Sequence, residues 1–271
     1  MTTQPTLALN DGRVAPQLGL GVWQVPDAEA ATIVASAVEA GYRSVDTAAI
    51  YGNEAGVGAG LAAAPDVFLT TKLWNDSQGF DRALRAFDKS LQRLGRDSVD
   101  LYLIHWPAPS QDLYLDSWKA LIRLREEGRA KSIGVSNFNV EHLERIIGET
   151  GVVPAVNQVE LHPRFQQRTL RAYHQAQGIV TESWSPLGQG KLLENPTLAA
   201  LAAKHGKTSA QVIIRWHLDS GLMVIPKSAN PARIAQNIDV FDFRLDPEDL
   251  AAIGALDDPN GRIGPDPLKF G

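Results

Sequence analysis

From Ala28 to Glu39 the apolar residues Ile33, Val34, Ala37 and Val38 recur at the three- and four-residue spacing of a helix, and Gly41 is placed to stop it. Short apolar runs flank that helix, Gly19 to Val22 before it and Tyr42 to Asp46 after it, and both suit buried strands. The alternation then repeats. Helix Glu54 to Ala63 precedes strand Val67 to Lys72, helix Phe80 to Leu94 precedes strand Val99 to Ile104, and helix Leu113 to Glu127 precedes strand Lys131 to Val135. Helix Val140 to Ile147, strand Ala155 to Val159, helix Gln167 to Gln177 and strand Val180 to Glu182 follow, then helices from Pro196 and Ser209, strand Met223 to Ile225 and helix Ala232 to Asp239. Eight βα repeats with no linker and no break in composition predict an α/β protein of the (β/α)₈ TIM-barrel class, one domain over residues 1–271.

Ahead of the repeats, Thr6 to Leu9 and Val14 to Leu18 flank Asn10-Asp11-Gly12, the pattern of a β-hairpin, which would close the barrel bottom. After them, Asp246 to Leu256 predicts one more helix, and the Pro- and Gly-rich residues 257–271 predict a loop over the active-site face. A doubly wound sheet is the alternative. Its dinucleotide fingerprint is missing, because Gly56-Val-Gly-Ala-Gly60 has the wrong spacing and falls inside a predicted helix.

A net charge of -5 argues against a general binder of nucleic acid or anionic membrane, so small molecules are the expected partners of a monomer. With no cysteine there is neither a disulfide nor a thiolate metal site, and the histidines lack zinc-site spacing, so no metal is expected. The N-terminus has no signal-peptide pattern and no apolar run is long enough to span a bilayer, which makes a cytoplasmic location the expectation.

The carboxyl ends of the predicted strands carry Asp46, Lys72, His105 with Trp106, Ser136-Asn137, Gln158 with Glu160 and His162, Glu182 with Trp184, and Lys227-Ser228. Barrel interiors favour Val, Ile and Leu, so an acid, an ammonium and an imidazole ending three successive strands are costly unless they satisfy one another. With Tyr51 five residues beyond Asp46, they compose an acid catalyst. Lys72 would lower the pKa of the Tyr51 phenol, Asp46 would hold Lys72, and a neutral His105 would hydrogen-bond a carbonyl oxygen. A proton donor without a nucleophile points to hydride from a nicotinamide cofactor. His162 and His174 are expected to be structural or surface residues, and Trp118 and Trp216 to be core.

The stretch Gly41-Tyr-Arg-Ser-Val-Asp-Thr-Ala-Ala-Ile-Tyr-Gly-Asn-Glu54, with Ile133-Gly-Val-Ser-Asn-Phe138, Val156-Asn-Gln-Val-Glu-Leu-His-Pro163 and Ile225-Pro-Lys-Ser228, resembles the signatures of the aldo-keto reductase superfamily. The resemblance covers nearly the whole chain, from Leu9 to about Leu256. Thr71-Lys-Leu-Trp-Asn-Asp76, His105-Trp-Pro107 and Glu182-Ser-Trp-Ser-Pro-Leu-Gly-Gln-Gly-Lys191 are most similar to the bacterial 2,5-diketo-D-gluconic acid reductases within it. It implies that NADPH reduces an aldehyde or ketone, with Asp46, Tyr51, Lys72 and His105 as the catalytic tetrad. By the same resemblance Ser136, Asn137 and Gln158 would bond the nicotinamide carboxamide and Trp184 would stack on its ring. Leu187, Gln189, Gly190 and Lys191 would fold over the pyrophosphate, Lys227, Ser228 and Arg233 would hold the 2′-phosphate, and Gln236 and Asn237 would lie at the adenine. Trp23, Trp74 and Trp106 would surround the substrate, either 2,5-diketo-D-gluconate or another small carbonyl such as methylglyoxal. A non-catalytic NADPH-binding barrel and a Schiff-base enzyme acting through Lys72 are the alternatives.

Overall fold

The computed structural model describes residues 4–271. Two short strands, β1 (Thr6–Ala8) and β2 (Val14–Pro16), pair antiparallel across the Asn10-Asp11-Gly12 turn. Then come β3 (Leu20–Gly21), α1 (Asp27–Ala40), β4 (Ser44–Asp46), α2 (Glu54–Gly60), β5 (Phe68–Leu73), α3 (Phe80–Leu94), β6 (Val99–Ile104) and α4 (Tyr114–Glu126). The second half adds β7 (Ala130–Ser136), α5 (Val140–Thr150), β8 (Val156–Glu160), α6 (Arg168–Gln177), β9 (Val180–Trp184), α7 (Pro196–His205), α8 (Ser209–Asp219), β10 (Met223–Val224), α9 (Pro231–Ile238) and α10 (Pro247–Gly254). Strands β3 to β10 form one eight-stranded sheet, every adjacent pair parallel and the spatial order the same as the sequence order. A doubly wound sheet would reverse direction partway, and this one does not. The sheet curls until its first and last strands touch: Leu18 bridges Val224, Gly21 bridges Lys227, and Gly19 N donates to Val224 O at 2.9 Å.

Alternation along β6 shows the two faces. Tyr102 and Ile104 pack with helical residues such as Phe87 and Trp118 in one cluster, while Leu101 and Leu103 join Phe68, Val156 and Met223 in another. Leu9 and Ala15 belong to that inner cluster, and Asn10 Nδ2 donates to Pro154 O at 2.9 Å, so the hairpin seats against the amino ends of the strands as expected.

The boundaries shift where backbone bonds compete. The predicted strand from Tyr42 begins only at Ser44, because Gly41 takes a left-handed φ of 110° and Tyr42 N still donates to Ala37 O of α1 at 3.0 Å. The helix predicted to Ala63 ends at Gly60. Its glycines are packing devices. A Cβ on Gly56 would lie 2.3 Å from Asp27 O, one on Gly58 2.2 Å from Leu94 O, and one on Gly60 2.8 Å from Val34 Cβ, so α2 wedges between α1 and α3 only with its side chains removed.

Replacing Gly58 with Ala therefore sets a gain in helix propensity of roughly 1 kcal/mol against an overpacking cost of about 1–3 kcal/mol on unyielding backbone. The urea midpoint of Gly58→Ala is expected to fall with an unchanged slope, and a raised midpoint would refute the wedge.

Candidate functional site

Four side chains converge where β4, β5 and β6 end. Asp46 closes β4, Lys72 is the penultimate residue of β5 and His105 follows β6. Tyr51 sits on one 3₁₀ turn, Ala49–Tyr51, and the residues beyond it brace that turn. Asn53 Nδ2 donates to both Val22 O and Val25 O at 2.9 Å, and its Oδ1 accepts from Thr47 Oγ1 at 2.7 Å. The buried Glu54 carboxylate accepts from Thr71 Oγ1 at 2.6 Å and Arg93 Nε at 2.7 Å.

Lys72 has no solvent exposure; its Nζ donates to Asp46 Oδ1 at 2.5 Å and Thr47 O at 2.9 Å and lies 5.2 Å from the Tyr51 ring centroid. Burial alone would lower its pKa, but the charge of Asp46, with Tyr51 and Glu182 behind it, outweighs burial and holds the ammonium above its usual range. The His105 ring meets Tyr51 edge-on at 5.7 Å and Trp74 at 5.2 Å, and burial followed by the Lys72 charge keeps it well below the ordinary imidazole pKa, hence neutral. For Tyr51 the expected direction is corrected. Burial raises the phenol above its usual value; Lys72 does pull it down, yet Asp46 and Glu182 push with burial, and the sum stays high. A high phenol pKa keeps its proton in place through neutral pH.

Gln158 links this group to a carboxylate that has no expected role. Its Nε2 donates to Asp46 Oδ2 and to Glu182 Oε2, both at 2.8 Å, which occupies both amide hydrogens. Burial and the Asp46 charge push the Glu182 carboxyl up to about 7. The neighbouring donors are also engaged: Ser136 Oγ donates to Gln158 O at 2.7 Å, and Asn137 Nδ2 donates to His105 O at 2.9 Å and Ser136 Oγ at 3.0 Å. Trp184 Nε1 donates to Asn137 Oδ1 at 2.8 Å. Of the expected carboxamide partners, Asn137 and Gln158 line the cavity and Ser136 stands behind them, and with their donors engaged the free capacity is chiefly the Gln158 Oε1 acceptor.

These groups open into a cavity of about 460 Å³ that Asp46, Tyr51, His105, Asn137, Gln158 and Trp184 line together. Trp23, Trp74 and Trp106 are on its wall, Trp23 being partly exposed. Of the residues expected along the cofactor's far portion, Gln189 and Lys227 line it. Ser136, Leu187, Gly190, Lys191 and Ser228 lie outside its lining, as do Arg233, Gln236 and Asn237 on α9. Gly188, Gln189 and Gly190 all take positive φ, folding that loop tightly, and Lys227 and Arg233 are exposed with no salt bridge among the described residues. Asn230 caps α9 by accepting from Arg233 N at 3.2 Å. His162 and His174 are buried and bonded, to Glu160 at 3.2 Å and to Thr181 at 2.8 Å, and Trp118 and Trp216 are core. The tail supplies what the sequence named only as a loop: Gly264, Pro265 and Phe270 complete the cavity wall, Phe270 lying 4.6 Å from Trp106. No helix among the described residues is long and apolar enough to cross a membrane.

A model of the aldo/keto reductase family matches residues 15–258. The chain is 56% identical over 270 residues to an aldo-keto reductase of Mycobacterium sp. (strain KMS), covering 98% of each. It is 53% identical over 277 residues to the methylglyoxal reductase DkgA of Escherichia coli (strain K12), covering 100% of each. A crystal structure of a Gox0644 variant in complex with NADPH is similar at a TM-score of 0.97 with 57% identity, covering 98% of each chain.

Glu182 generates a pH test. Its folded pKa lies above the ordinary 4.5, so its contribution to stability is whole below pH 4.5 and is lost as pH rises to about 7. For a shift of that size the loss is about 3 kcal/mol. Glu182→Gln is expected to gain stability relative to wild type across that interval, as read by urea unfolding at several pH values; a constant difference would mean that the carboxyl titrates normally.

Proposed function

The chain belongs to the aldo/keto reductase family, and on that premise we propose that it reduces small aldehydes and ketones to alcohols with NADPH, Tyr51 donating the proton. The observation that carries this reading is a fully buried Lys72, paired with Asp46 and 5.2 Å from the Tyr51 ring centroid, standing behind a phenol and an imidazole that line one cavity. In its setting of a single closed (β/α)₈ barrel, supported by the Leu18 and Gly21 bridges, the group lies at the carboxyl ends of the strands.

When bound, NADPH supplies the hydride. The chain's residues suit such a ligand: Trp184 offers an indole at the cavity, Gln158 Oε1 an acceptor for an amide, the left-handed turn at Gly188–Gly190 places Gln189 on the cavity wall, and Lys227 with Arg233 offers two cations for a phosphate that form no salt bridge among the described residues. His105 orients the carbonyl oxygen toward Tyr51, whose hydroxyl yields its proton as charge develops there, and Lys72 stabilises the phenolate that remains. A Schiff base at Lys72 is disfavoured, because a doubly hydrogen-bonded ammonium with a raised pKa has no free lone pair.

Trp74, Trp106 and Phe270 make a narrow aromatic cleft, which favours a small substrate of the methylglyoxal kind, and relatives that carry that name support it. The second reading, a keto-sugar acid such as 2,5-diketo-D-gluconate, is favoured by one feature. An open groove shares Ile50 and Trp74 with the cavity and bears Arg82, Arg85 and Lys89, none of them in a salt bridge among the described residues.

Methylglyoxal is expected to be reduced with the higher kcat/KM of the two, and the reverse order would select the sugar acid. Tyr51→Phe should bind NADPH normally while turnover falls by roughly 10² to 10⁴, and near-normal turnover would remove Tyr51 from its role. Arg233→Ala should weaken NADPH by about one to two decades, the loss of a charge-assisted bond of about 1.5–3 kcal/mol, and leave NADH nearly unaffected. Titration of both cofactors by tryptophan quenching checks this, and equal losses would show that Arg233 does not hold the 2′-phosphate.

A further inference from the structure

Glu160 ends β8 with its side chain wholly removed from water and no lysine or arginine bonded to it among the described residues. A carboxylate so placed is costly unless strong donors replace its hydration. Here the donors come from the tail. Oε1 accepts from Ile263 N at 2.6 Å and from His162 Nε2 at 3.2 Å, and Oε2 accepts from Gly264 N at 2.8 Å, so two successive backbone amides clamp both oxygens. We propose that Glu160 is a positioning residue that latches residues 263–271 across the pocket and thereby sets which carbonyl substrates fit, a role that rests on the pocket being the carbonyl site.

The latch acts at the point where placement is tightest. A Cβ on Gly264 would lie 2.5 Å from Trp184 Cη2 and 2.9 Å from Glu160 Oε2, so the tail is pressed between the carboxylate and the indole edge. From that point the chain runs as pocket wall through Pro265 to Phe270, whose ring packs on Trp106 at 4.6 Å and Trp74 at 6.4 Å. Its far end is pinned again, where Ser110 Oγ donates to Gly271 O. Further ties act upstream, at Asp257 and Asp258. Arg164 to Asp258 at 3.1 Å and Arg168 to Asp257 at 2.6 Å join partly exposed groups. Asp258 N donates to Arg164 O at 3.0 Å and Gln166 N to Asp257 Oδ1 at 2.9 Å, which holds the chain before it reaches the pocket. Glu160 itself is outside the cavity lining, whereas Gly264, Pro265 and Phe270 are in it. It acts through them.

Glu160→Gln keeps the size of the side chain but turns an NH₂ group toward one of the two amides. Hydrogen exchange at Ile263 and Gly264 is expected to quicken at least tenfold. The ratio of KM for a bulky aromatic aldehyde to KM for methylglyoxal is expected to change severalfold, with kcat and the Kd for NADPH within about twofold of wild type. Phe270→Ala should shift the same ratio, and adding Glu160→Gln to it should shift it little further, since both act through one element. If Glu160→Gln does not fold, Ile263→Pro removes one donor while leaving the carboxylate, and the same changes in exchange at Gly264 and in KM are expected. Unchanged exchange at the tail amides, or faster exchange with an unchanged KM ratio, would overturn the latch. A wild-type protein that reduces no carbonyl would overturn the reading of the pocket instead, and exchange alone would then decide the latch.

Discussion

An ammonium without access to water governs the arrangement around it. Lys72 is inside the curled sheet, where losing hydration would drive its proton off unless negative partners stand within bonding distance. Asp46 on the adjacent strand is one such partner, and the Thr47 carbonyl fills a second direction. Two carboxylates near one ammonium leave an excess charge, and the structure disposes of it by holding a proton on Glu182 toward neutral pH while Gln158 bonds both acids through one nitrogen. The neutral imidazole follows from burial with the Lys72 charge behind it, whereas the protonated phenol follows from burial against that charge, with Asp46 and Glu182 adding to burial. The protonation states of the group are thus set jointly by burial and by how one cation is compensated.

Much of this was legible in the chain, and the parts that were not have a common cause. Period-two and period-3.6 patterns name strands and helices because each element buries one face, and Asp46, Lys72 and His105 stood out because polar residues interrupt positions that burial reserves for Val or Leu. Glu160 and Glu182 stood out in the same way without acquiring a task. Their partners, Ile263 and Gly264 for one and Gln158 with Asp46 for the other, are distant in sequence, and nothing local announces them. The direction of the Tyr51 shift failed for a similar reason: the nearest charge was legible, whereas the burial that outweighs it is a property of the assembled site. The glycines of α2 were separated from a dinucleotide fingerprint by their spacing and helical position, but the backbone of Leu94 against which Gly58 packs belongs to another helix.

Backbone strain is concentrated where the cavity opens. Gln24, Asn137, Ser185 and Gln189 all hold positive φ without being glycine, and all four line the cavity. Asn137 and Ser185 directly follow β7 and β9, Gln24 lies just past β3, and Gln189 sits in the turn at Gly188–Gly190. Asn137 shows the return on that cost: in the left-handed conformation its amide reaches His105 O, Ser136 Oγ and the Trp184 indole at once, tying three strands' ends together.

The junction of the sheet's two edges bears on how the chain is made. Gln17 is buried beside β3, and its Nε2 donates to Leu218 O and Leu222 O at 2.9 and 3.0 Å, across separations of 201 and 205 residues. During synthesis the first strand therefore leaves the ribosome long before its second neighbour exists, and a nearly complete sheet waits with two unpaired edges. Closure comes late and depends on contacts of the greatest sequence separation, the regime in which folding is slow and open-edged intermediates associate with one another. The Gln17 side chain, by satisfying two carbonyls at the end of α8 and just before β10, ties that late closure to the arrival of both.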